Sequence, residues 1–577
     1  MTGAQTMTSS TTYTTATTFS TMTTAYTLTV TTPPTGMACG STVRVNTVLT
    51  ANVGPCSGDG LVIGASHVSL NCGGYAISGS GATSTGVGIS LTGVTKVTVK
   101  NCVVTGFQNG FVLTDSSKDT LTMNTADNNS ADGFLASSSN SITFTKNTAE
   151  SNGNDGFDVY YSPSNILSGN IAKDNRYDGF SLYMSQSSVL KGNTASGNGL
   201  LGGGGVSGFG LDWSGLSLLT RNVATDNGFG FTIYYSDSTK LTSNAANGNL
   251  LYGFWLISTN SSTLTHNTAD GNAQAGFYAE QSSDAFTRNR ADNNSGDGFV
   301  VLGSSSSVFT SDLANGNSES GFSLLPLYCT GTCPPISSFS DNDTLTRNTA
   351  DFNGASGFNI TASSKNTLTK NTANFNSYGF YFGGSSNSST LTGNTANNNK
   401  YYGFLLSGSS NTLTGNTANN DNNWGFSLGG SSNKLSKNTA KSDFWGFFLQ
   451  DSSGDILSKN TASNNGQNGF YVETSSNNTL TGNTVKNSAN GFYLLGSSGN
   501  ALTKNTANGN SYDGFYLLGS SSNTLSENTA KSNGQYGYYD GTSGSGTKGT
   551  ANTYTSDVCK GNGDGGSSPS GLGTPQP

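Results

Sequence analysis

Asp132, Asp155 and Asp178 each stand directly before a Gly-Phe pair, 23 residues apart. If equivalent residues of successive segments lie above one another, their carboxylates form a column with a spacing of about 4.8 Å. Such a column of like charge either repels itself or binds a cation. Enzymes that cut or modify acidic polysaccharides need clustered carboxylates, often around Ca2+, beside a basic group. Asp158 and Arg176 are close by in sequence. Asp132, Asp155, Asp178 and Arg176 are therefore the catalytic candidates, and the three column aspartates are the calcium candidates. The competing reading is that Asp before Gly is a turn residue repeated by duplication.

Aromatic residues make a second pattern. Tyr378, Tyr402, Trp424 and Trp445 fill the slot before Gly in four successive segments. Phe448, Tyr471, Tyr493 and Tyr516 fill the slot after Phe in four segments, and Trp255 and Tyr278 make a shorter run. A ladder of exposed ring faces suits stacking against sugars, and exposed apolar stripes mark interaction surfaces. Stacked aromatics also stabilise neighbouring strands with no ligand at all. A third pattern is Thr-x-Thr, at Thr263/Thr265, Thr344/Thr346, Thr367/Thr369, Thr390/Thr392, Thr412/Thr414 and Thr479/Thr481. Two such ranks on a flat sheet resemble solenoid ice-binding proteins. Thr is also an ordinary outward strand residue, and Lys434/Ser436 and Thr524/Ser526 interrupt the ranks.

All three patterns depend on one repeat. A Gly-Phe pair, finally Gly-Tyr, begins at Gly110 and recurs to Gly537 at intervals of 21 to 24 residues, apart from steps of 29 (179 to 208) and 36 (321 to 357). Common helical repeats are longer. The apolar residues here alternate with period 2 between Ser, Asn and Gly, which favour turns. Short strands broken by such corners stack in parallel, so the expected fold is all-β: a single-stranded right-handed parallel β-helix of about 20 coils, 22–23 residues each.

The coil starting at Gly403 reads Phe404 inward, Leu405 outward and Leu406 inward. Leu413 and Ala418 then point inward on the next two sides. Gly415 and Asn416 are expected to form a corner because both residue types tolerate left-handed backbone. Stacked corner asparagines such as Asn394, Asn416 and Asn438 are expected to hydrogen-bond from coil to coil.

Composition narrows the function classes. Of 577 residues only 10% are charged, and 25 basic residues against 33 acidic ones give a net charge of -8. That argues against a nucleic-acid footprint. No stretch is apolar for long enough to span a membrane as a helix. With 10 Pro to 78 Gly, collagen is excluded. The expected organisation is a Thr/Ser-rich leader over 1–36, a cap with first coils over 37–105, regular coils over 106–540 and a C-terminal cap or tail over 541–577. Insertions fall at 200–207 and 324–340. No ordinary signal peptide is legible in 1–36.

Seven cysteines and two histidines (His67, His266) favour disulfides over a zinc site. The expected pairs are Cys39–Cys56, Cys72–Cys102 and Cys329–Cys333, with Cys559 left over. Disulfides imply an extracellular or cell-surface location.

The repeat phrases, such as NTLTGNTANN at 411–420 and NTLTGNTVKN at 478–487, resemble the right-handed parallel β-helix repeat family, which includes periplasmic NosD-type and pectate-lyase-like proteins. The resemblance covers about 60–540. The opening CGSTVRVNTVLTANVGPCSGDGLVIGASHVSLNCGGYAISG at 39–79 and GISLTGVTKVTVKNCVVTGFQNGFVL at 88–113 looks like the family's N-terminal cap and first coils, and SSPSGLGTPQP resembles its C-termini. The family implies the fold strongly and the function weakly, since it carries lyases, hydrolases, epimerases, adhesins and copper-related proteins.

The sequence lacks the Asp-Asp pair and Gly-His-Gly of polygalacturonases and the Asp-Pro-His of mannuronan epimerases. Two His and six Met offer few copper ligands. His266 stands where other coils carry Lys, Gly or Arg, which does not support Ser-His-Asp catalysis. The leading expectation is a secreted or cell-surface β-helix without catalysis, adhesive, envelope-forming or in contact with a polysaccharide or surface glycan. The alternatives are a polysaccharide lyase or hydrolase, and an ice-binding protein.

Overall fold

The computed structural model describes residues 36–81, 83–199, 206–327 and 338–575. Each coil has three short strands separated by corners, as in Tyr402–Leu406, Thr412–Thr414 and Thr417–Asn419. These pair in parallel, in register, with the strands before and after them. The first face carries 23 strands and the second 22. The third runs as stretches of 9 and 11 strands, bridged by single residues at Thr268, Arg290 and Leu313. At about 4.8 Å per coil the rod is on the order of 100 Å long.

The period-2 pattern sorts each strand into an inner and an outer side. On the first face the Phe of every Gly-Phe pair points inside. From Phe111 to Tyr538 these rings form one unbroken stack, with centroids 4.6–5.0 Å apart. The second face contributes mainly Leu, such as Leu413, and the third mainly Ala, such as Ala418. Small Ala inside the third face lets that corner close around the wide Phe stack.

Glycine precedes Phe for lack of space. A Cβ on Gly446 would stand 2.4 Å from the Gly469 carbonyl oxygen and 3.0 Å from the Ala462 methyl group. Each pair thus marks the point where the third-face corner turns back toward the first face with no room for a side chain.

The corners divide two tasks that the sequence assigned to both residues. Gly415 adopts the left-handed conformation (φ 63°), but Asn416 does not. Asn416 is instead fully buried, a rung in a ladder of amides. Its Nδ2 donates to the Leu391 carbonyl (2.9 Å) and to Asn438 Oδ1 (3.0 Å), while its Oδ1 accepts the Asn394 backbone N–H (2.8 Å). The left-handed slot beside the rung faces solvent and accepts Lys370, Arg221 or His266, and the exposed His266 side chain makes no hydrogen bond among the described residues. A second buried ladder turns the next corner through residues such as Asn376, Asn399, Asp421 and Asp443.

Disulfides Cys39–Cys56 and Cys72–Cys102 are both present. Cys329–Cys333 lies outside the described residues, as do residues 1–35 of the leader and most of the two insertions. Cys559 is buried and unpaired because it occupies an Ala slot of the third face, directly above Ala530. The C-terminal segment continues the three faces through Thr553–Thr555, Val558–Lys560 and Gly565–Ser568.

Candidate functional site

The outer side of the first face carries both the acidic and the aromatic candidates. Two lanes matter: the residue before Gly and the residue after Phe.

In the first lane Asp132, Asp155 and Asp178 stack as expected, but each is tied to the next coil. Asp132 Oδ1 accepts the Asp155 backbone N–H (3.1 Å) and Asn154 Nδ2 (2.5 Å). Asp155 Oδ1 accepts the Asp178 N–H (2.7 Å), and Asp178 Oδ1 accepts the Ser207 N–H (2.6 Å). Asn109 performs the same service for Asp132. The column is therefore a backbone-capping ladder in which Asn and Asp interchange.

Asp158, in the second lane, faces this column, and oxygens of Asp132, Asp155 and Asp158 all lie within 4.8 Å of one another. Burial raises all four carboxyls. Asp158 and Asp178 are pushed up to about 7, and Asp155 goes well above the usual carboxylate range with the charges of Asp178 and Asp158 adding to its burial. Arg176 does not join them. It is exposed, lies 5.8 Å over the Tyr177 ring, and makes no ion pair among the described residues.

The two aromatic runs meet in one ladder. Tyr378, Tyr402, Trp424 and Trp445 follow one another at 5.6, 5.1 and 4.7 Å. Trp424 also stacks on Phe448 at 5.0 Å, and the ladder changes lanes there. It continues through Tyr471, Tyr493, Tyr516 and Tyr539 at 5.1, 5.1, 4.9 and 4.8 Å.

This geometry corrects the expectation of free ring faces. Most rings within a lane cover each other, and Phe448 is only 5% exposed. Faces with no ring stacked on them lie at the ends of each lane, as at Tyr378 and Trp445, and at the Tyr493–Tyr516 step, where the planes are inclined by 66°.

At the Tyr378 end the lanes change character. The next three coils toward the N-terminus carry Ser356, Ser320 and Asp297 before Gly, and Asn359, Ser323 and Val300 after Phe. A second aromatic block then follows, made of Tyr278, Tyr252, Trp255 and Phe229. Between the blocks lies a trough of about 380 Å³, walled on one side by Tyr378 and Tyr381 and holding Asp297 and Glu319. Sequence reasoning missed Asp297, Glu319, Tyr381, Tyr539 and Tyr252. Asp297 occupies the same pre-Gly slot as Asp132 and was legible there; the trough was not, because it is defined by small residues between large ones.

The Thr pairs line up on the second face over four coils, from Thr344/Thr346 to Thr412/Thr414. Lys434 and Ile456 then break the first rank.

Family profiles match most of the chain. The profile described as "Right handed beta helix region" matches residues 66–212, 203–315 and 424–569, and that of "Periplasmic copper-binding protein (NosD)" matches 336–455. No curated protein matches the chain. Among solved structures it is similar to a periplasmic alginate epimerase, AlgG (14% identity, 53% of this chain and 76% of that one, TM-score 0.32). It is also similar to the A-module of the Azotobacter vinelandii mannuronan C-5 epimerase AlgE4 (14%, 62% and 87%, 0.28). A third is the catalytic unit of a GH87 α-1,3-glucanase from Streptomyces thermodiastaticus (15%, 46% and 58%, 0.31). Likeness at this level carries nothing about chemistry. With the profile matches and three parallel faces running through the described coils, the chain belongs to the right-handed parallel β-helix family.

Proposed function

We propose that this protein is a secreted or cell-surface β-helix that contacts carbohydrate through its first face without catalysis. The observation that carries this reading is the concentration of aromatic rungs on the outside of one face, in two blocks between Phe229 and Tyr539 and a further group at Tyr160, Tyr183 and Tyr234, where the other two faces present mostly Thr, Ser, Asn and Lys. Tyr and Trp edges with hydroxyls and small polar neighbours suit a hydroxyl-rich ligand. The disulfides suit an oxidising compartment, and no described helix is long and apolar enough to cross a membrane. On a glycan array, the full chain is expected to retain a defined set of glycans, and Trp424→Ala together with Trp445→Ala, which removes the rungs behind Tyr402 and Tyr378, to weaken that binding at least several-fold. Undiminished binding by the double variant would count against the ladder.

The polysaccharide lyase or hydrolase reading rests on the Asp132/Asp155/Asp158 cluster. Carboxyls with raised pKa are suited to general acid–base work. Against it, Oδ1 of Asp132, Asp155 and Asp178 is committed to a backbone amide, and Arg176 is turned away. As a calcium site the cluster leaves mainly Asp132 Oδ2, Asp155 Oδ2 and Asp158, fewer than the six to eight oxygens this ion takes. Calcium-dependent release of unsaturated or reducing sugar, lost in Asp155→Ala, would overturn the non-catalytic reading. The NosD-type segment 336–455 contains no His, Cys or Met, so its donor set does not fit copper.

A further inference from the structure

We infer that the trough between the two aromatic blocks is the glycan-binding site, and that it takes a short stretch of glycan carrying no carboxylate. This rests on the carbohydrate-contacting reading and adds a place and a ligand class to it.

The trough is the one described interruption of an otherwise ring-lined strip between Phe229 and Tyr539 in which free ring faces, polar floor and depth coincide. From Tyr278 the outer lane passes Val300, Ser323 and Asn359 before reaching Tyr381. Four coil steps separate Tyr278 from Tyr381 by roughly 19 Å, and the trough occupies the Tyr381 end of that gap, from Asp297 to Tyr381. Because the neighbouring coils hold only Ser and Asn, the sides of Tyr378 and Tyr381 turned toward Ser356 and Asn359 have no ring stacked on them. The pair lies at 5.7 Å with planes inclined by 56°, so the two rings form a bent wall. A sugar ring can lie against such a wall, whereas rings stacked on both sides, such as Tyr402 and Trp424, have no free face.

The floor determines the ligand class. Asp297 is held by the Ser320 backbone N–H (2.7 Å) and by the Ser323 hydroxyl (3.0 Å), which fixes its carboxyl inside the trough. Glu319 is exposed at the rim. No Lys or Arg is among the lining residues. Fixed carboxylates and serine hydroxyls accept and donate hydrogen bonds to sugar hydroxyls, and they attract amino sugars. They repel uronates, for which no compensating cation is present.

The test uses the full chain in calorimetric titration against cellohexaose, maltohexaose, laminarihexaose, mannohexaose, a chitosan hexamer and hexagalacturonate. At least one of the first five is expected to bind and hexagalacturonate not to bind. Asn359→Tyr and Ser356→Tyr extend the rungs into the gap, using the residue type that the next coil already carries in those slots, at Tyr381 and Tyr378. Each is expected to reduce the affinity at least tenfold while the circular dichroism spectrum and unfolding midpoint stay within error of wild type. Asp297→Asn keeps the acceptor for the Ser320 backbone N–H and removes the charge, as Asn109 and Asn490 do in their own coils. It is expected to narrow the discrimination against hexagalacturonate. Binding that survives both tyrosine variants but falls with Trp424→Ala and Trp445→Ala would overturn the trough and leave the carbohydrate reading standing. Preferred binding of hexagalacturonate would overturn the ligand class. If no glycan on this panel or on an array binds, the carbohydrate reading itself falls and the trough falls with it.

Discussion

Replacing Asp443 by Asn is expected to stabilise the protein at neutral pH by about 2–4 kcal/mol, and Asp421→Asn by a similar amount. Both carboxyls occupy rungs of the second corner ladder. Asp421 Oδ1 accepts from the Asn399 backbone N–H (2.7 Å) and Nδ2 (2.9 Å), and Asp443 Oδ1 accepts from the Asp421 N–H (2.8 Å). In an asparagine rung the second atom is an NH2 group, which donates to a carbonyl as Asn399 does to Ala373. In Asp421 and Asp443 that atom is Oδ2, which is buried and has no partner.

Burial therefore pushes Asp421 up to about 8. It pushes Asp443 up to about 9, with the Asp421 charge adding to the effect. The folded pKa lies above the unfolded value of 3.8, so the folded state keeps protons that the unfolded state releases. Stability is then greatest in acid and falls as pH rises from about 4 toward 8 or 9, at up to about 1.4 kcal/mol per pH unit per carboxyl. Guanidinium unfolding midpoints at pH 5, 7 and 9, with hydrogen exchange of amides in residues 399–465, would show this. The asparagine variants should remove this share of the pH dependence, gaining most at pH 9 and least at pH 5. A wild-type protein that gains stability between pH 5 and 9 would contradict this assignment.

Asn438→Ala is expected to have the opposite effect, a loss of about 3–5 kcal/mol at all pH values. Asn438 is fully buried. Its Oδ1 accepts from the Asn416 backbone N–H (2.8 Å) and Nδ2 (3.0 Å), and its Nδ2 donates to the Leu413 carbonyl (3.0 Å) and to Asn460 Oδ1 (3.0 Å). Truncation leaves these groups buried and unpaired, each at about 1–3 kcal/mol. Asn464→Ala, at an exposed left-handed corner position (φ 55°), makes the control and should cost under about 1 kcal/mol. Because a solenoid unfolds by segments, the loss should appear first as faster exchange in coils beside 416–460.

The fold was legible because the repeat states it many times over. Gly446 and its equivalents mark where the backbone crowds, Phe447 and its equivalents mark the inner stack, and Asn438 marks the ladder; each recurs often enough to fix a register. The corner chemistry was only half legible. Gly415 and Asn416 are both turn formers by type, and only their coordinates separate the left-handed residue from the buried rung. The site was least legible. The sequence placed Trp424 and Phe448 in separate runs because they occupy different slots, yet their rings stack. It treated Asp132, Asp155 and Asp178 as free charges, whereas each caps a backbone amide. The trough could not be read, since Ser320, Ser323 and Ser356 are unremarkable until large rings stand on either side of them.

The most direct test of the central claim is hydroxyl-radical footprinting of the full chain with and without a saturating glycan chosen from the array. Protection is predicted at Tyr378 and Tyr381 on the first face, with no change at Ile171 on the third or Ile456 on the second. Protection concentrated on Ile171 or Ile456, with the first-face tyrosines unchanged, would contradict the account.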